Sequence, residues 1–139
     1  MTPPHRFRKS PEPRARRRLQ KRIAQKAGRR AEFWALWMLR AKAYHLVARN
    51  YQPPYAGHGE IDLIMRRGRL LVFVEVKYRP DRHRAKAAIS TAQWRRIGRS
   101  AAHFVAAHKG FQNHLWRFDL VACAPAIMPR HIADCWRMR

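Results

Sequence analysis

"GEIDLIMRRGRLLVFVEVKYRP", residues 59 to 80, holds two apolar runs separated by a short basic segment with one glycine. Runs of this length, rich in Val and Ile and closed by Gly59 and Pro80, predict a β-hairpin. Its strands are expected over 60–65 and 70–78, with the turn at Arg67-Gly68. That turn pairs Asp62 with Phe73 and Glu60 with Glu75. Paired residues project from one face, and the face recurs every second residue. One face should therefore carry Glu60, Asp62, Ile64, Leu71, Phe73, Glu75 and Lys77. The other should carry Ile61, Leu63, Met65, Leu70, Val72, Val74 and Val76, all apolar. Asp62 and Glu75 become diagonal neighbours, roughly 7–8 Å apart at the backbone.

Charged side chains are seldom tolerated in a half-buried strand unless they are paired or bound. Two adjacent carboxylates raise the pKa of one of them or take a cation between them. Two readings stay open from the residues alone. One is a salt-bridge network, Lys77 with Glu75 and an arginine with Asp62. The other is a metal site, where hard oxygen donors suit Mg²⁺ completed by waters and substrate phosphates.

Outward from the hairpin, the spacing of Ala24, Ala27, Ala31 and Ala35 predicts a helix from about Leu19 to Val47. Phe33, Trp34, Leu36, Trp37, Met38 and Leu39 make its middle apolar almost all round, so burial on most sides is expected. Glu32 is its one acid. "YHLVARNYQ" then reads as a strand and "PPYAGHG" as a loop. After a basic loop over residues 80–86, a second helix is expected from about Ala87 to His108. Ile89, Ile97, Ala101, Phe104 and Val105 form its inner stripe, and Arg95, Arg96 and Arg99 its outer face. "LWRFDLVACA" is a fourth strand and "HIADCWRM" a short fifth one at the edge. The order α-β-β-β-α-β-β implies an α/β fold, a mixed central sheet flanked by helices. Residues 1–22, with Arg16, Arg17 and Arg18, are expected to form a basic mobile arm, and residues 23–139 a single domain.

The chain carries 31 Lys and Arg against 8 Asp and Glu, a formal net charge of +23. Such a charge selects polyanionic partners: nucleic acid first, and an anionic membrane surface last, because the arm lacks an apolar face. Cys123 and Cys135 form no C-x-x-C pair and are expected to be buried, reduced thiols, which fits a cytoplasmic setting. The eight histidines show no metal-ligand spacing. No window is apolar enough for a transmembrane span, and the N-terminus has no secretory signal pattern; its arginine-rich, acid-poor start only faintly resembles a mitochondrial transit peptide. No zinc finger, helix-turn-helix or RNP-type motif is present. Trp94 and Trp116 could stack on bases, although their spacing favours a core or subunit contact.

Asp62, Glu75-Val76-Lys77 and the helical Glu32, in this order of elements, resemble the signature of the PD-(D/E)xK nuclease superfamily. More closely, "RRAEFWALWML", "ARNYQ", "GEIDLIM", "VFVEVKYR", "RFDLV" and "HIADCW" resemble the YraN family of small bacterial proteins, which share a Holliday-junction-resolvase-like form of that fold. The resemblance spans roughly residues 26 to 136 and implies a restriction-endonuclease-like core with the order α-β-β-β-α-β. It implies a Mg²⁺- or Mn²⁺-dependent endonuclease acting on DNA, branched or damaged DNA included. Asp62, Glu75 and the Val76 carbonyl would hold the metal, with Glu32 binding it through water. Lys77 would orient the attacking water, and Gln93 would contact substrate or water. Glu60 is either an outer support of the acids or a solvent-facing residue. Arg16, Arg17, Arg18, Arg95, Arg96 and Arg99 would track the phosphate backbone. The family pattern has a Lys before Gln93 and a Gly before Glu32, where this chain has Ala92 and Ala31. The missing Lys leaves open a nucleic-acid-binding protein that keeps the fold and does not cut. An RNA-associated protein suits the charge but not the acidic pole. By analogy a homodimer and a nucleoid location are expected.

Overall fold

A computed structural model describes residues 13–79 and 88–138. The first part of the expected arm, residues 1–12, and the whole of the basic loop over 80–86 lie outside the described residues. The elements run α1 (Pro13–Ala41), β1 (His45–Tyr51), β2 (Ile61–Arg67), β3 (Leu70–Tyr78), α2 (Thr91–Ala107), a short 3-10 turn, β4 (Leu115–Ala124) and β5 (Ile127–Trp136). They form a five-stranded mixed sheet in the order β1-β2-β3-β4-β5. β1, β2 and β3 are an antiparallel meander, β3 and β4 are parallel across the α2 crossover, and β5 returns antiparallel to β4. This is the α/β order that the sequence implies.

The helices cover opposite faces. Under α1 lie Leu63, Met65, Val72, Val74, Val121 and Cys123, met by Ala31, Ala35, Leu36 and Leu39. Under α2 lie Ile64, Leu71, Phe73, Phe118 and Leu120, met by Ile89, Trp94, Ile97, Ala101, Phe104 and Val105. Gly98 of α2 lets the helix close on β5, because a Cβ there would stand 3.1 Å from the Trp136 ring. Trp136 in turn stacks on Trp94, with centroids 5.9 Å apart.

Several boundaries differ from expectation for local reasons. The hairpin turns at Gly68-Arg69, and Arg67 pairs with Leu70. Gly68 takes φ +58° at the first loop position, as a II′ turn requires. The register thus moves by two residues, which preserves side-chain parity and leaves both faces nearly as expected. Ile61 is the exception and packs on the α2 side. It follows a loop pinned to α2 by the Gly59 N–H donating to the Arg96 carbonyl at 3.1 Å, so strand parity is not yet established there. α1 starts at Pro13 rather than near Leu19, so Arg14 to Arg22 are helical. Proline suits the first helical position, where its missing N–H leaves no bond unmade. The same helix stops at Ala41, well before Val47, and Ala43 at φ +66° turns the chain into β1. α2 begins at Thr91, capped by the Ser90 hydroxyl, which accepts the Gln93 N–H at 3.1 Å. β5 is ten residues long rather than a short strand, and it begins at Ile127.

Burial of α1 on most sides is not what the fold provides. One sheet face covers one stripe, and Phe33, Trp34 and Trp37 remain 50–59% exposed on the other side. Cys123 is buried and Cys135 only partly so.

Candidate metal centre at the pole of β2 and β3

The β2–β3 ladder stops at Leu63 opposite Val74, and the same register places Asp62 opposite Glu75. The two acids are therefore directly across from one another, closer than the diagonal expected. The Asp62 carboxylate takes over from the ladder: its Oδ2 accepts the Val76 N–H at 2.7 Å. A strand residue points its N–H and its carbonyl to the same side, so the Val76 carbonyl also faces the β2 side where Asp62 lies. Glu75 Oε1 receives Lys77 Nζ at 3.2 Å and Gln93 Nε2 at 3.2 Å. Ser90 to Gln93 has the spacing of a capping box, yet the Gln93 side chain reaches to Glu75 instead of back to the cap. Asp62, Glu75, Lys77 and Gln93 thus meet in one place.

Electrostatics at this pole are unbalanced. Asp62 is pushed up to about 8, first by burial and then by the Glu75 charge. Glu75 is also raised, by burial, against the pull of Lys77 and of a hydrogen bond with Asp62. At neutral pH the pair holds a proton that two exposed carboxylates would have released. Of the salt-bridge reading, the Lys77–Glu75 half is present. Among the described residues, no arginine bridge to Asp62 accompanies it, and the Val76 amide fills that place.

Glu32 sits on the flank of α1 that faces this pole. It is half-buried, and its pKa is raised by burial and by the fields of Asp62 and Glu60. It makes no three-carboxylate cluster with them: among the described residues no group of three Asp, Glu, His or Cys is placed to hold a metal. Glu60 is exposed. Arg95, Arg96 and Arg99 are exposed on α2, and Arg99 Nε also clasps the Gly57 carbonyl at 2.8 Å. Arg16, Arg17 and Arg18 are exposed on α1. Trp94 is buried and Trp116 partly buried against Phe73, so neither offers a free face.

A sign follows for the metal-free protein. Asp62 is neutral when folded up to about pH 8 but ionises near 3.8 when unfolded. The folded state therefore binds more protons across that window, and stability falls as pH rises from about 4 to 8. Asp62→Asn, which keeps the shape without the charge, is expected to raise stability at pH 7.5 by roughly 1–3 kcal/mol. Urea unfolding at pH 5 and 7.5 measures this; no gain at pH 7.5 would show the carboxyl to be already relieved.

A second buried charge cluster escaped the sequence reading. Asp119 on β4 is fully buried. It accepts Arg117 Nε at 2.8 Å and Nη2 at 2.6 Å, His131 Nε2 at 2.7 Å and the Asp134 amide at 2.9 Å. Because a carboxylate only accepts, the His131 hydrogen lies on Nε2, and Nδ1 is left to accept Lys42 Nζ at 3.1 Å. Arg117 Nη2 also donates to the Tyr44 hydroxyl at 2.8 Å. Burial alone would raise Asp119, but these donors outweigh it and hold the carboxyl below its ordinary 3.8. The available signal was an Arg and an Asp two residues apart in an apolar strand, hence on one face.

The arrangement defines a mixed α/β protein with an acidic pair, a lysine and a glutamine at one end of its central strands. The sequence model described as "Uncharacterised protein family UPF0102" matches residues 31–123. A UPF0102 protein of Parvibaculum lavamentivorans is 45% identical over 114 residues, covering 82% of this chain and 84% of that one. Another from Caulobacter vibrioides is 42% identical over 113 residues, 81% of this chain and 88% of the relative. A third, from Paramagnetospirillum magneticum, is 41% identical over 116 residues, with 83% and 90% covered. The chain belongs to the UPF0102 family. No helix among the described residues is long and apolar enough to cross a membrane.

Proposed function

We propose that this protein is a Mg²⁺-dependent nuclease of the PD-(D/E)xK type, hydrolysing phosphodiester bonds in DNA. The observation that carries the reading is the Asp62–Glu75 pair, two carboxylates in contact whose one salt bridge among the described residues is to Lys77, with a proton retained between them. A divalent cation in place of that proton would relieve both. The donor set fits Mg²⁺, which is commonly held by one or two carboxylates with waters and phosphate oxygens completing six positions. When bound, the ion supplies Lewis-acid stabilisation of a phosphodiester oxygen and a more acidic water.

The chain's own groups have distinct tasks. The Val76 N–H fixes the Asp62 carboxylate, and Gln93 and Lys77 fix Glu75. Lys77 keeps donor hydrogens beyond the one that meets Glu75, which suit a water or a phosphate oxygen. Glu32 adds negative field from α1 at a longer range. The arginines of α1 and α2 supply phosphate contacts, so binding is expected to weaken steeply with salt.

A second reading is a nucleic-acid-binding protein that does not cut, for which the lack of a third Asp, Glu, His or Cys beside the pair among the described residues speaks. Labelled duplex, single-stranded, flap and four-way-junction DNAs, incubated at low salt with Mg²⁺ or Mn²⁺, separate the two. Metal-dependent cleavage that Asp62→Ala and Glu75→Ala both lose supports the nuclease. Tight binding with no cleavage, unchanged in both variants, leaves the binding reading.

A further inference from the structure

On the face of the sheet opposite the acidic pair, but at the same end, α1 and the β4–β5 turn enclose an open cleft of roughly 580 Å³. Its walls include Arg30, Trp34, Tyr78, Pro125, Met128 and Pro129. Tyr78 lies three residues beyond Glu75 on β3, so the cleft begins about 10 Å along the strand from the acids. Trp34 is 59% exposed, and Phe33 packs edge-on against both Trp34 and Trp37 at 5.6 and 6.2 Å. Arg40 lies over the Trp37 ring at 5.3 Å. α1 carries ten Lys and Arg, with Glu32 its one acid, and every residue from 13 to 26 is exposed.

Exposed aromatic rings set among arginines are what a flexible polyanion with planar bases requires. The rings stack on bases, and the guanidinium groups meet the phosphates between them. A second copy of this chain is the poorer occupant, because it would bring another +23 against the same basic helix. We propose that the cleft beside Trp34 is a stacking site for an unpaired base, and that α1 holds a single strand of nucleic acid leading to the acidic pole. This rests on the reading of the protein as acting on nucleic acid, but not on its cutting.

The test uses the full-length protein in EDTA at low salt, with fluorescein-labelled oligo-dT and oligo-rU 15-mers and a blunt duplex. Without divalent metal the readout is binding alone, so a failure of the cleavage assay leaves this result standing, and the reverse. Trp34→Ala is expected to weaken both single strands about tenfold and the duplex less than twofold. Trp34→Phe should restore most of the loss, and Arg30→Ala should weaken single strands and duplex alike. Trp34 is largely exposed, so an unchanged melting temperature for Trp34→Ala serves as the folding control. Wild-type single-strand affinity in Trp34→Ala overturns the proposal. So does a concentration-dependent dimer in sedimentation that Trp34→Ala abolishes while strand binding stays intact, which would assign the cleft to a second copy.

Discussion

On the proposed nuclease reading, Asp62→Ala and Glu75→Ala are each expected to lower Mg²⁺-dependent DNA cleavage by roughly 10²–10³-fold or more, because each removes a carboxylate that would hold the cation against the reacting phosphate. The loss should not come from unfolding. The Asp62 carboxyl is held near pKa 8 by burial and by Glu75, so removing its charge relieves the metal-free fold at neutral pH and offsets the cost of leaving the Val76 N–H without its acceptor. A variant that is more stable yet inactive separates a site from a scaffold. Metal binding supplies an independent check. The ion must displace the retained proton, so calorimetry at pH 7 in buffers of different ionisation heat should show about one proton released per ion in wild type and none in Asp62→Asn. Full cleavage by either alanine variant would sink the assignment, whatever the metal affinity.

Asp119→Ala is expected to act in the opposite way. It leaves Arg117 and His131 facing a hole in the sheet, and removal of one partner from a buried ion pair typically destabilises by about 3–5 kcal/mol. For a domain of this size that is a large share of the whole folding free energy. The folded pKa of Asp119 is depressed, so its stabilisation is present above the unfolded value of 3.8 and disappears as pH falls through the folded one. Urea unfolding at pH 7 measures the effect; a change under 1 kcal/mol would mean that Arg117 and His131 relax into solvent. The contrast between the variants is diagnostic, since one acid is retained against the fold and the other for it.

The hairpin faces could be read from the sequence because parity survives a two-residue register slip. For the same reason Asp62, Glu75 and Lys77 share a face although the turn lies one residue beyond the expected place, and Gln93 joins them from α2. What parity cannot show is which pairs lie directly opposite, so the closeness of the two acids was understated. The start of α1 was hidden because Pro13 reads as a breaker and the segment after it buries nothing, leaving no apolar period. The exposure of Phe33, Trp34 and Trp37 was hidden too. A helix that is apolar all round signals burial only if neighbours exist on every side, and this sheet covers one. The Asp119 cluster draws on the turn between α1 and β1, on β4 and on β5; the spacing of Arg117 and Asp119 hints at that one pair, but nothing in the sequence shows that Lys42, Tyr44 and His131 meet it.

Beneath α1, the Cys123 Sγ donates to the Ala31 carbonyl at 3.7 Å, and burial pushes its thiol up to about 11. A thiol so placed is unreactive while the helix lies on the sheet and becomes an ordinary nucleophile once it lifts. Alkylation of Cys123 therefore serves as a clock for the parting of α1 from the sheet, counting transient openings too rare for any equilibrium signal. The helix that carries the basic surface and the exposed aromatic rings reports on its own docking through one sulfur atom.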